Sequence, residues 1–165
     1  MNTRKIKPAS GLITTGLITS IFVFLIFILP ASADQKSDRK FYPWKIENYA
    51  ITKPLGGYRG NAERGRKIVI NQDKGNCLAC HKLPIPEESF HGTVGPSLVG
   101  IASRLTATQI RLRVADETKI NPYTIMPGYY KNPKENNRVD DEYWGKPVLT
   151  AQETEDVIAY LMTLK

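Results

Sequence analysis

Hydrophobic and polar positions divide the chain near residue 30. Ahead of it, Gly11 to Leu29 form an apolar run, densest in "IFVFLIFIL", behind a basic start with Arg4, Lys5 and Lys7. Beyond it polar and apolar residues mix, and three stretches carry helix signals. "NAERGRKIVI" opens on Asn61 as an N-cap, with Glu63 in the first turn, where its charge suits the helix dipole. Thr106 to Val114 begins "TATQ" and Thr150 to Leu164 begins "TAQE". In each, a threonine stands three residues before Gln109 or Glu153, the spacing of a capping box. Val157, Leu161 and Leu164 recur at helical spacing and predict one apolar stripe on the last helix. No stretch alternates as a half-buried strand does, and what remains is loop with frequent Gly and Pro. The pattern predicts an all-α fold, a few helices joined by ordered loops.

The first thirty residues read differently. After the basic start and apolar core, Pro30 breaks the run, and Ala31, Ser32 and Ala33 put small residues where a signal peptidase reads. That order describes a secretory signal peptide, cleaved after about Ala33. A retained membrane anchor is the competing reading, because Gly11 to Pro30 approaches the length that spans a bilayer. Thr14, Thr15, Gly16, Thr19 and Ser20 dilute its first half, and the A-x-A exit favours cleavage. The expected organisation is a signal peptide at 1–33, an N-terminal extension at 34–60 and one domain at 61–165. Cleavage removes three of 23 basic residues and none of 16 acids, so the net charge falls from +7 to +4. With no basic run interleaved with aromatics, nucleic acid is excluded as a partner.

Export makes the two cysteines informative. Cys77 and Cys80 are the only ones in the chain, and His81 follows at once in "GNCLACHKLP". A disulfide across so short a loop removes little entropy from the unfolded chain, so it is a poor staple. Zinc needs three or four protein ligands at suitable spacing. His81 and His91 are the only histidines, and Cys80 beside His81 makes a tetrahedron hard to close. A thiol–disulfide exchanger places C-x-x-C after a strand in a βαβ context, whereas "RGRKIVINQDKGN" is charged and ends in a turn. Covalent haem explains all three residues together: two thioethers from Cys77 and Cys80, and His81 as an axial ligand to the iron.

A sixth ligand comes from His91, Met126 or Met162. Met162 lies in a helical pattern as core filling, and His91 is too close to His81 to reach the other haem face. Met126, in "NPYTIMPGYY" between Pro122 and Pro127, is the expected ligand, and a thioether there raises the potential relative to a second histidine. An axial histidine gives its other ring N–H to a carbonyl; Pro96 in "TVGPSLVG" is the candidate. Arg104 is a candidate partner for a haem propionate or a solvent-facing residue. So much ordered loop is costly in entropy without a surface to pack on, so the apo-protein is expected to fold poorly.

The segments "GNAERGRKIV", "CLACH", "GPSLVG", "MP" and "LTAQETEDVIAYL" resemble the class I cytochrome c fold across residues 61 to 165. The resemblance implies that the first and last helices cross, with Gly65 meeting Tyr160. A glycine inside a helix costs up to about 1 kcal/mol against alanine and needs such a reason. "ITKPLGGYRGNAERGRKIVINQDKGNCLACH", "GTVGPSLVGIASR", "ADETKINPYTIMPGYYK" and "NRVDDEYWGKPVLTAQETEDVIAYLMTL" are similar to the SoxX family, the monohaem cytochrome subunits of the sulfur-oxidation (Sox) system. That resemblance covers about residues 51 to 165 and leaves "FYPW" unmatched. It implies a periplasmic protein with one His/Met-ligated haem c. It also implies a SoxA-like haem protein as heterodimer partner, and a downstream electron acceptor. The pair would oxidatively attach thiosulfate to a cysteine of the SoxYZ carrier protein. The catalytic centre would lie on the partner, and this chain offers no acid/base constellation: Glu87 and Glu88 read as solvated, and Asp140, Asp141 and Glu142 as a partner-facing or merely exposed acidic patch. The membrane would be met only through the precursor's signal segment. A free-standing electron carrier is the alternative, and a thiol–disulfide enzyme a third reading.

Overall fold

A computed structural model describes residues 39–135 and 139–165. The signal-peptide and anchor readings lie outside the described residues; among those described, no helix is long and apolar enough to cross a membrane. The α-helices are α1 (Ala62–Ile70), α2 (Ala107–Asp116) and α3 (Ala151–Leu161), with several 3-10 turns between and around them. Among the described residues the only β pairing is an isolated bridge between Glu47 and Ala50.

Each helix starts where its cap predicts. Asn61 accepts from Arg64 N at 2.9 Å. The capping boxes of Thr106 with Gln109 and of Thr150 with Glu153 are both closed in both directions. α3 ends earlier than the expected Leu164. The Thr163 hydroxyl takes the Tyr160 carbonyl at 2.7 Å, and the Leu164 carbonyl accepts from Ala102 N at 2.9 Å instead of continuing a helix.

α1 packs on α3 more extensively than any other pair of elements. Gly65 sits at the contact: a Cβ there would overlap the Asp156 carbonyl and lie 2.9 Å from Tyr160 Cβ. The glycine–tyrosine contact is present, with the backbone of α3 as the tightest neighbour. α3 is buried on more than one stripe, since Thr154, Glu155 and Asp156 are buried beside Val157, Ile158 and Leu161. Sequence periodicity missed this because the acids find partners on the other helices. Arg64 of α1 grips Asp156 through two bonds of 2.7 and 2.9 Å, and that bond holds the guanidinium pKa above its ordinary value. Arg111 of α2 grips Glu155 likewise, at 2.7 and 2.9 Å. Buried ions of this kind are tolerated only when paired and hydrogen-bonded. Asp156 also accepts from Asn61 N, and Glu155 from Leu55 N.

Two hydrophobic cores result. The larger is built on Val69, Leu78, Ile110, Val157, Leu161 and their neighbours. The smaller joins Ile51, Leu55, Leu112, Ala115, Tyr130 and Ala151, covered by Phe41, Tyr42 and Trp44 from the N-terminal extension.

Candidate functional site

The segment after α1 turns at Asn76, whose left-handed backbone (φ 45°) is a conformation asparagine tolerates better than most residues. One 3-10 turn, Cys77–Ala79, follows. The Cys77 carbonyl accepts from Cys80 N at 3.2 Å and from His81 N at 2.9 Å. On a 3-10 turn residues three apart share a face, as Cys77 and Cys80 do, and with the following His81 they line one cavity of about 600 Å³. The cysteines are not bonded to each other. Burial pushes the Cys77 thiol up to about 12, with the neighbouring Cys80 adding to it. A dithiol exchanger needs the reverse, a thiol whose pKa is lowered.

His81 Nδ1 lies 2.7 Å from the Pro96 carbonyl, the contact expected from the sequence. That bond puts the proton on Nδ1 and leaves Nε2 with a lone pair and no hydrogen-bond partner among the described residues. The ring is also held from the side: a Cβ at Gly95 would lie 2.6 Å from Nδ1, so only glycine fits there. Sequence reasoning took Pro96 from "TVGPSLVG" but did not see that Gly95 makes room for the imidazole.

Met126 lines the same cavity from a distant part of the chain, with Thr124, Ile125 and Pro127. Its side chain packs on the larger core, and its N–H donates to Thr124 Oγ1 at 3.1 Å. The other two candidate ligands stay away. His91 Nδ1 accepts from Leu83 N at 3.1 Å, and its Nε2 faces the carbonyls of Ile85 and Glu88 at 3.2 and 3.0 Å. Both nitrogens are therefore engaged in folding the 82–91 loop. Met162 caps the end of α3 and packs on the larger core. Arg104 is not among the residues lining the cavity; its guanidinium donates to the carbonyls of Val99 and Ser97 at 2.8 and 2.9 Å.

Among the cavity residues that escaped the sequence reading, Tyr129, Arg113 and Glu117 carry polar groups. Tyr129 lines the wall and donates its hydroxyl to the Gly75 carbonyl at 2.6 Å, tying the methionine loop to the cysteine turn. Burial raises its pKa. Arg113 and Glu117 also line the cavity, bonded at 2.7 Å, and Glu117 Oε2 is buried with no hydrogen-bond partner among the described residues. Their spacing of four, across the end of α2, was a legible signal; Tyr129 had none.

The donor set fits covalent haem. Two thiols and an imidazole with a free lone pair share one turn, a thioether faces the same cavity, and the walls are Leu98, Ile101, Leu105, Ile110, Val114 and other apolar side chains. The mouth carries large exposed apolar residues, Val94, Tyr123 and Ile125, at 66, 93 and 80% exposure.

The family model described as "Cytochrome c" matches residues 62–165. Among solved structures the chain is similar to one described as the crystal structure of SoxXA from P. pantotrophus, at 37% identity and a TM-score of 0.67. The match covers 74% of this chain and 94% of that one. No curated protein matches.

Proposed function

The chain belongs to the cytochrome c family, in its SoxX branch, and on that premise we propose that it is the electron-accepting subunit of a periplasmic L-cysteine S-thiosulfotransferase. Its heterodimer partner would be a SoxA-type cytochrome, the carrier whose cysteine is modified a SoxYZ-type protein, and its cofactor a single haem c. The observation that carries the reading is the SoxXA match at 37% identity over 94% of that chain. It extends over more of this chain than the 104 of 165 residues that the cytochrome c model takes.

The reaction joins the terminal sulfur of thiosulfate to the carrier's cysteine sulfur. One sulfur–sulfur bond forms, the thiol proton leaves, and two electrons are released. Cys77 and Cys80 would hold haem c, which would supply one-electron redox chemistry for taking up those electrons. The chain's own residues prepare that role. Pro96 and Gly95 fix the tautomer and plane of His81, and Met126 supplies a thioether that favours the reduced state. The apolar walls exclude water, and the apolar rim of Val94, Tyr123 and Ile125 suits close approach of a partner. Arg104 ties the 97–99 loop through two of its carbonyls, and Arg113 lines the cavity as a cation that could pair with a propionate.

The test is affinity purification of the tagged chain from the periplasmic extract of cells oxidising thiosulfate. A second haem protein should co-purify in equal amount, and thiosulfate with carrier should reduce this chain only when that partner is present. Recovery of the chain alone, with coupling by the partner undisturbed by its deletion, would instead identify a free-standing electron carrier.

A further inference from the structure

Residues 39–44 lie outside the segment that the family model matches, yet they make some of the longest-range contacts in the described structure, and these converge on one residue. Tyr130 is four residues after Met126 and fully buried. Its hydroxyl accepts from Tyr42 N at 2.7 Å and donates to the Lys40 carbonyl at 3.2 Å. Its own carbonyl accepts from Trp44 Nε1 at 3.2 Å, and its ring lies 5.3 Å from that of Phe41. Of its hydrogen-bonding groups only the N–H, given to the Ala115 carbonyl, goes elsewhere, while its ring also packs on Ile51, Leu55 and Leu112 in the smaller core. Arg39 extends the attachment by donating to the Val148 carbonyl at 2.8 Å, next to Leu149, whose N–H donates to the Tyr129 carbonyl.

The methionine loop needs such an anchor. Between Asn121 and Gly128 the hydrogen bonds among the described residues are local: Asn121 to Glu117, Tyr123 and Thr124 to Asn121, Met126 to Thr124. Pro122, Tyr123, Ile125 and Pro127 are exposed. The first long-range tethers after Met126 are at Tyr129, bonded to Gly75, Val114 and Leu149, and at Tyr130, bonded to Ala115 and to residues 40–44. Only Pro127, with its fixed φ, and Gly128 separate them from the thioether.

We propose that residues 39–44 are a strap that positions Met126 against the cavity, acting through Tyr130 as the positioning residue. The inference rests on the reading of Met126 as an axial ligand. Without the strap the loop opens more often, and the methionine yields its place to an external ligand. A competing ligand then binds more tightly in proportion to the open fraction.

The experiment uses the full-length ferric haem-loaded protein and titrates imidazole, following the methionine-to-iron charge-transfer band at the red end of the visible spectrum. Tyr130→Phe removes the hydroxyl that joins Tyr42 and Lys40, and Trp44→Phe removes the indole donor while keeping a ring. Each should bind imidazole about tenfold more tightly than the wild type, the effect of losing the two hydrogen bonds of the Tyr130 hydroxyl or the one of the Trp44 indole. Tyr42→Phe keeps the backbone N–H that Tyr130 uses and should stay within about twofold of wild type. His91→Gln, which weakens a different loop, should do the same and so separates positioning from general destabilisation. Wild-type imidazole affinity in both Tyr130→Phe and Trp44→Phe, with Met126→Ala binding tightly, would overturn the strap and leave the ligand reading intact. Absence of the charge-transfer band from the wild type would overturn both.

Discussion

At the residue scale, the two histidines and the cavity methionine have separable duties. Met126→Ala should abolish the charge-transfer band and lower the midpoint potential, because a thioether stabilises reduced iron. Survival of the band in that variant's absorption spectrum would remove Met126 from the ligand set. His91→Leu should do the opposite. It leaves Leu83 N–H without an acceptor and two carbonyls without a donor, costing about 1–3 kcal/mol in urea unfolding. The spectrum of the folded protein should not change. Cys77, Cys80 and His81 were legible because the motif is local, and Pro96, 15 residues from His81, only through the rule that an axial histidine gives its other ring N–H to a carbonyl. Gly95 and Tyr129 were not, since nothing near them in the chain shows that one faces an imidazole and the other a carbonyl 54 residues away.

At the scale of elements, the crossing of α1 and α3 depends on the absence of one methyl group. Gly65→Ala drives a Cβ into the Asp156 carbonyl, and overpacking at backbone costs about 1–3 kcal/mol, read as a lowered unfolding midpoint. The start of α3 depends on charge. Burial would raise the Glu153 pKa, but the Lys74 ammonium at 2.6 Å and the Thr150 amide together outweigh it and hold it below the ordinary value. A depressed carboxylate stabilises the fold above its unfolded pKa, about 4.3, and the contribution is lost as pH falls through the lower folded value. Glu153→Gln should therefore be less stable than wild type at neutral pH, with the gap closing as the solution is acidified below about pH 4. Parallel stability curves in urea at all pH values would show that Glu153 acts through hydrogen bonding alone.

At the scale of the whole molecule, the loops between α1 and α2 and between α2 and α3 line the cavity and have little regular structure of their own. Ordering them costs conformational entropy that the haem's apolar face would offset. The double variant Cys77→Ala/Cys80→Ala, unable to attach haem, should lose helical circular dichroism. A cooperative melt like that of the wild type would show that the chain folds without it.

What the sequence determined by itself is short-range: three helix starts, the cysteine–histidine turn and the haem chemistry it implies. Each is written in residues at most four apart, and backbone geometry turns such spacing directly into contact. What only the tertiary structure decided is which side chains meet across the chain. The apolar stripe of the last helix says nothing of Glu155 and Asp156, which are buried because Arg111 and Arg64 reach them from 44 and 92 residues away. "FYPW" matched nothing, yet Trp44 caps Tyr130 across 86 residues. Hydrogen bonds and ion pairs of that kind follow from the packing of complete elements, and no local pattern encodes them.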